Sequence, residues 1–193
     1  MLLLEWRSAN ISSIFKKGKK SEVGNYRPVS LTCIVSKLME SIIRDSVMEH
    51  FVKNKLFTCK QFGFIKGRST VLQLLKVLDI WTHNLEIGGN IDVIYTDLEK
   101  AFDKVPHKRL ISKLKSYGIN ADVIAWIEAF LSTRRQRVKI NNVFSEWASV
   151  LSGIPQGSIL GPLQFIIYIN DLVDLCSNAD DAKLFRHILS RLD

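Results

Sequence analysis

The residues with the types and spacing for chemistry are aspartates that close apolar runs. In Tyr95-Thr96-Asp97-Leu98-Glu99-Lys100-Ala101-Phe102-Asp103 an apolar stretch delivers Asp97 at its end, and Ala179-Asp180-Asp181-Ala182 supplies two adjacent carboxylates. Taken singly, each reads as a cap, a turn former or a solvated pair. Brought together, three carboxylates from two segments form a hard, all-oxygen site whose mutual repulsion calls for a compensating cation. Magnesium favours a few carboxylates together with phosphate oxygens and water, and two such ions serve phosphoryl transfer to a hydroxyl.

A second signal is Gly153-Ile154-Pro155-Gln156-Gly157-Ser158. Its glycines permit close backbone approach, and a helix after it would aim its positive end at the loop. Such a segment suits a nucleotide or a template strand, or is a plain helix-capping loop. Gly63-Phe64-Ile65-Lys66-Gly67-Arg68-Ser69 is no Walker loop: one residue is missing between its glycines, and Arg68 stands where lysine is required. His50, His83, His107 and His187 lack metal spacing, and His107 reads as a surface residue at a helix start. Cys33, Cys59 and Cys176 form neither a CxxC pattern nor a disulfide framework, which favours a reducing, intracellular setting.

These groups need elements to carry them. Ile91 to Leu98 alternates as a strand, with Ile91, Val93, Tyr95 and Asp97 on one face. Residues 8–32 read as extended and loop-like around the basic run Lys16, Lys17, Lys19, Lys20, with Arg27 held out of helical space by Pro28. Val29 to Val35 suits a short buried segment. Ser36 to Val52 spaces Leu38, Met39, Ile42, Ile43, Val47 and Phe51 as one helical face. Ser69 caps a helix bearing Leu72, Leu75, Leu78 and Leu85, which Gly88-Gly89 stops. Pro106 opens a helix ending at Gly118, and Asp122 to Leu131 forms another with Val123, Trp126, Ile127 and Phe130 on one side. Gln136–Ile140, an Asn141-Asn142 turn and Val143–Val150 make a hairpin. Ser158 caps a helix to about Asn170. This order of helices, then strands mixed with helices, is α+β.

Bulk properties agree with a folded, soluble domain. Of 193 residues, 47% are hydrophobic and 24% charged, which excludes extensive disorder. The net charge of +8 favours a polyanionic partner, nucleic acid or an anionic membrane. Met1-Leu2-Leu3-Leu4 is too short for a signal peptide, and Ile159 to Ile169 falls well short of the ~20 apolar residues of a membrane span.

Six segments in order resemble the reverse transcriptases of non-LTR (LINE-type, jockey-like) retrotransposons. They are Asn25 to Leu31, Gln61 to Thr70, Asp97 to His107, Ser152 to Leu163, Ile169 to Leu172 and Ala179 to Asp181. The resemblance implies a right-hand polymerase fold with fingers over residues 1–90 and a palm over 91–193, incomplete at the C-terminus and without a thumb. It implies an RNA-directed DNA polymerase that uses two Mg2+ ions, with Mn2+ as a substitute, on an RNA template, a DNA primer and dNTPs. Asp97, Asp180 and Asp181 would be catalytic metal ligands, joined by the Leu98 carbonyl. Lys20 and Arg27 would grip the triphosphate, a role that suits a lysine point charge and an arginine fork. Phe102 would exclude a 2′-hydroxyl, Gln156 and Gly157 would flank the incoming nucleotide, and Arg68 would touch the template. Asp103 would be structural.

The match departs from the family before Asp180. Only Leu172 to Asn178 follow the Asn170-Asp171-Leu172 helix end, and Asn178 replaces an aromatic or apolar residue. A helix of about a dozen residues carries the chain ~18 Å away, and seven extended residues return at most ~23–25 Å. A return strand therefore requires Leu172 to Cys176 to be extended, and an internal deletion is the alternative. Two functional readings follow: an active polymerase domain, or a truncated, catalytically inactive remnant that binds nucleic acid. An unrelated magnesium phosphotransferase lacks a phosphate loop here.

Overall fold

The computed structural model describes residues 2–91, 93–95, 98, 100–172 and 183–185. Asp97, Glu99, Cys176, Asn178, Asp180, Asp181 and His187 lie outside them, as does the expected return strand from position 173 onward. Helices and strands are mixed along the chain, in agreement with an α and β composition.

Two compact units divide the fold. The first comprises Met1–Leu56 and Lys100–Tyr168, the second Phe57–Glu99 and Ile169–Asp193.

In the first unit, β1 (Ser8–Phe15) and β2 (Tyr26–Leu31) form an antiparallel hairpin. The extended character expected over 8–32 is thus that of a strand pair with the loop confined to its connection. The basic run sits in the connection, which the Asn25 side chain closes by donating to the Lys19 carbonyl at 2.9 Å, while the Tyr26 hydroxyl donates to Lys20 O at 2.8 Å. β1 then pairs in parallel with β4 (Arg135–Ile140), and β5 (Val143–Phe144) and β6 (Ala148–Ser149) pair antiparallel with β4. Asn141 turns the β4–β5 hairpin with φ +54, a conformation asparagine tolerates.

Helix α1 (Ile34–Lys53) follows β2, and the expected buried segment Val29 to Val35 is buried only in part: Ser30 and Thr32 are buried, whereas Leu31, Ile34 and Val35 are exposed. The buried face of α1 is Ser36, Glu40, Ile43, Val47 and Phe51, while Leu38 and Ile42 face outward. The apolar count found Ile43, Val47 and Phe51 but not Ser36 and Glu40, because a buried carboxylate lies within that face. α3 (His107–Ser116) and α4 (Ala121–Leu131) pack with α5 (Gly161–Tyr168) around Leu110, Leu114, Ile127, Phe130, Leu160 and Phe165. Full burial of each such side chain stabilises by roughly 1.5–3 kcal/mol. Asn120 rather than Asp122 starts α4, its Oδ1 accepting from Asp122 N at 2.8 Å.

In the second unit, α2 (Thr70–Glu86) is capped as expected by Ser69, whose hydroxyl accepts from Leu72 N at 3.2 Å. None of its residues is buried; Leu72, Leu75, Leu78 and Leu85 are all exposed. β3 (Val93–Tyr95) lies within the expected strand and pairs in parallel with β7 (Lys183–Phe185), Val93 opposite Lys183 and Tyr95 opposite Phe185.

Candidate active site

The loop 152–160 is held on three sides. Gly153 N donates to Val105 O at 2.9 Å and Ile154 N to Phe102 O at 2.8 Å, which lays the loop along the segment that follows Asp97 in sequence. Ser30 N donates to Gln156 O at 2.7 Å, tying the loop to β2. The third tie comes from α1: Glu40 Oε2 accepts from Ile159 N at 2.8 Å and Leu160 N at 3.3 Å. A carboxylate there satisfies the donors that a helix start leaves unpaired, and its charge complements the positive end of α5. Ser158 adds a cap, its Oγ accepting from Gly161 N at 2.7 Å.

Two positions in this loop admit only glycine. Gly153 has φ +89, and a Cβ there would stand 2.6 Å from Asp103 O and 2.8 Å from its Cα. Gly157 has φ +99, and its Cβ would approach Ser30 O to 3.0 Å. Both need left-handed backbone and space that a side chain would fill.

Of the expected nucleotide residues, Gln156 and Gly157 lie in this loop and Phe102 is bonded to it through its carbonyl. Gln156 Nε2 donates to Asp103 Oδ1 at 3.2 Å, and Ser152 Oγ donates to Asp103 O at 3.2 Å, so Asp103 organises the loop. Phe102 stacks on Phe165, with ring centroids 4.6 Å apart and planes 23° apart. Lys20 and Arg27 are exposed on the β1–β2 hairpin; Lys20 Nζ lies 5.9 Å from the Phe15 centroid. His107 is not a plain surface residue: it is half-buried, and its Nε2 donates to Gly153 O at 2.7 Å. Beside the loop is a cavity of about 380 Å³, lined by Lys100, Asp103, Arg134, Gln136, Ser152 and Gln156 among others.

Arg134 and Glu40 carry no sequence signal of the sort motifs provide. Arg134 is 2% exposed, donates through Nη1 to Trp6 O at 3.2 Å and Phe130 O at 3.1 Å, and lies over the Phe130 ring. Burial pulls its pKa down to about 10, an effect the Glu40 carboxylate opposes, so it stays charged at neutral pH. A glutamate and an arginine at interior helix-face or strand-entry positions were the available hints.

In the second unit, Arg68 Nη1 donates to Thr58 O at 2.7 Å and Gln61 O at 2.6 Å, closing the loop before α2. Leu98 is exposed. Among the described residues, no three His, Cys, Asp or Glu side chains cluster as a metal site, and no helix is long and apolar enough to cross a membrane. The parallel register of β3 and β7 places the C-terminal end of β3 and the N-terminal end of β7 at opposite ends of that ladder. The donors expected for a divalent cation, Asp97, Leu98 O, Asp180 and Asp181, are all oxygens, the kind such an ion takes, but only Leu98 lies among the described residues.

A mixed sheet, a glycine-bounded loop clamped beside the segment after Asp97, and aspartates in two separated segments accord with a nucleotide-transferring domain. Comparison with known proteins makes this definite. The family described as reverse transcriptase (RNA-dependent DNA polymerase) matches residues 14–188, and the chain belongs to it. More closely, it is a reverse transcriptase domain of the non-LTR, jockey-like kind. It is 34% identical over 176 residues to the probable RNA-directed DNA polymerase from transposon BS of Drosophila melanogaster, covering 91% of this chain and 19% of that protein. It is 31% identical over 177 residues to the RNA-directed DNA polymerase from mobile element jockey of the same species, covering 86% of this chain and 18% of the relative. The Pol polyprotein of the R2 element of Popillia japonica is 23% identical over 173 residues, covering 89% and 24%. The chain thus spans about a fifth of the length of the curated relatives it matches.

Proposed function

We propose that this chain is the fingers-and-palm portion of an RNA-directed DNA polymerase that extends a DNA primer with dNTPs on an RNA template. The observation that carries the reading is the loop 152–160, clamped against Phe102, Asp103 and Val105 with its glycines at 153 and 157. In that position Gln156 and the exposed Gly157 border the nucleotide, while Phe102, braced on Phe165, presents a flat wall against a 2′-hydroxyl. Lys20 on the hairpin would neutralise the triphosphate, whereas Arg27 stands on the sheet face turned away from the cavity. Arg68 keeps its Nε and Nη2 edge for the template backbone. Asp97, Asp180 and Asp181, with the Leu98 carbonyl, would hold magnesium, which supplies charge neutralisation at the attacking hydroxyl and the leaving pyrophosphate. The chain's own task is to hold the donors and the triphosphate in register.

Purified protein given poly(rA), oligo(dT), dTTP and Mg2+ should incorporate dTMP, and Asp97→Ala should reduce incorporation to background. Incorporation that persists unchanged in Asp97→Ala overturns the assignment. RNA binding without any incorporation in the parent chain identifies the other reading, a non-catalytic nucleic-acid-binding remnant.

A further inference from the structure

The β1–β2–β4 sheet has two chemically different faces. Register places Ser8 opposite Arg135, Asn10 opposite Arg137 and Ser12 opposite Lys139, and it places Arg27 opposite Ile14 on the neighbouring strand. Because side chains alternate, these cations share one face, while Ala9, Ile11, Ser30 and Gln136 occupy the other, which lines the cavity.

The cations on the first face are held in place. Arg137 lies 4.0 Å from the Phe144 centroid and 4.5 Å from that of Trp147, and Arg135 lies 4.5 Å from Trp147. Arg135 Nε donates to Ser8 Oγ at 3.0 Å and Arg137 Nε to Asn10 Oδ1 at 2.9 Å. Each guanidinium therefore has its plane on an aromatic ring and its inner edge tied to β1. No carboxylate among the described residues pairs with Arg27, Arg135, Arg137 or Lys139. Four unpaired cations on one face cost self-repulsion unless an anion covers them. Successive cations on β4 stand ~6.6 Å apart along the strand, a step comparable to that between phosphates of an extended polynucleotide. Trp147 and Phe144 remain about 40% exposed, leaving surface for a base to stack on.

We infer that this face is a track for single-stranded polynucleotide, with Arg135, Arg137 and Lys139 on successive phosphates and Trp147 and Phe144 on the bases. That the strand is unpaired template RNA rests on the polymerase reading; the binding itself does not. Half of the recognition is preorganised, since the forks lose little freedom when a phosphate arrives.

The test is fluorescence anisotropy with labelled oligo(rU), a duplex RNA of equal length, and vesicles containing phosphatidylserine. The parent should prefer the single strand. Arg135→Ala with Arg137→Ala should weaken that binding at least ~10-fold and lower the salt slope by about 1.4, at about 0.7 per phosphate contact on a single strand. Trp147→Ala should cost roughly 10-fold through lost stacking. Arg135→Lys with Arg137→Lys keeps the charge and spares the fold; it should fall between parent and alanine variants with an unchanged circular dichroism spectrum. Unchanged affinity and slope in these variants, preference for duplex, or capture by vesicles but not oligo(rU) overturns the inference. Asp97→Ala should bind oligo(rU) like the parent. Ladder-dependent binding without incorporation therefore sinks the polymerase reading and leaves this one standing.

Discussion

The loop 152–160 and the hairpin 135–149, which supplies three strands of the sheet, adjoin in sequence yet are built by different means. The loop is anchored by backbone hydrogen bonds to β2 and to the 102–105 segment, and by a buried carboxylate from α1. The hairpin rests on the β4–β5 and β4–β6 pairings, and on its outer face guanidinium groups sit over Phe144 and Trp147. The first arrangement fixes a position; the second presents a surface whose members can be exchanged. A substitution should therefore act on the loop through stability and on the hairpin through contact with a partner.

Gly153→Ala should break the loop most severely. Left-handed backbone and contact with Asp103 together should cost about 3 kcal/mol or more. At ~2–4 °C per kcal/mol for a chain of this size, thermal denaturation would then show a drop of roughly 6–12 °C. Glu40→Ala should come next, at about 2–3 kcal/mol, because two buried N–H groups lose a charged acceptor. Glu40→Gln restores one acceptor oxygen and should recover part of the loss; equal melting temperatures for the two variants would argue against the hydrogen bonds as the cause. Lys139→Ala on the hairpin should stay within ~0.5 kcal/mol of the parent. A larger drop in a denaturant titration would erase the contrast between the two regions.

Local punctuation made much of the fold legible in the sequence. Ser69 caps α2, Gly118 with φ +71 follows α3, and Asn141 turns the hairpin, each through chemistry confined to neighbouring residues. β1 was legible as extended chain but not as a member of a sheet, because Ser8-Ala9-Asn10-Ile11-Ser12-Ser13 is polar on one face and its parallel partner is distant in sequence. α1 was found with the Ile43, Val47 and Phe51 part of its buried face, but not Ser36 and Glu40: helical periodicity counts apolar side chains, whereas Glu40 is buried for its acceptors. Of the site, the motif residues Phe102, Gln156 and Gly157 could be named from the chain alone. The ties of Gln156 to Asp103 and Ser30, and of Gly153 to His107, could not, since nothing in the spacing of residues 46 to 126 positions apart announces a hydrogen bond.

The parallel pairing of β1 with β4 also has a consequence in time. Ser8 and Arg135 are 127 residues apart, so at ~5–20 residues per second a ribosome takes roughly 6–25 s to make the second after the first. The β1–β2 hairpin can close early, but through that interval one edge of β1 has no native neighbour. On the face of Ser8, Asn10 and Ser12, whose first two side chains later seat Arg135 and Arg137, the waiting strand offers polar rather than apolar groups to other nascent chains.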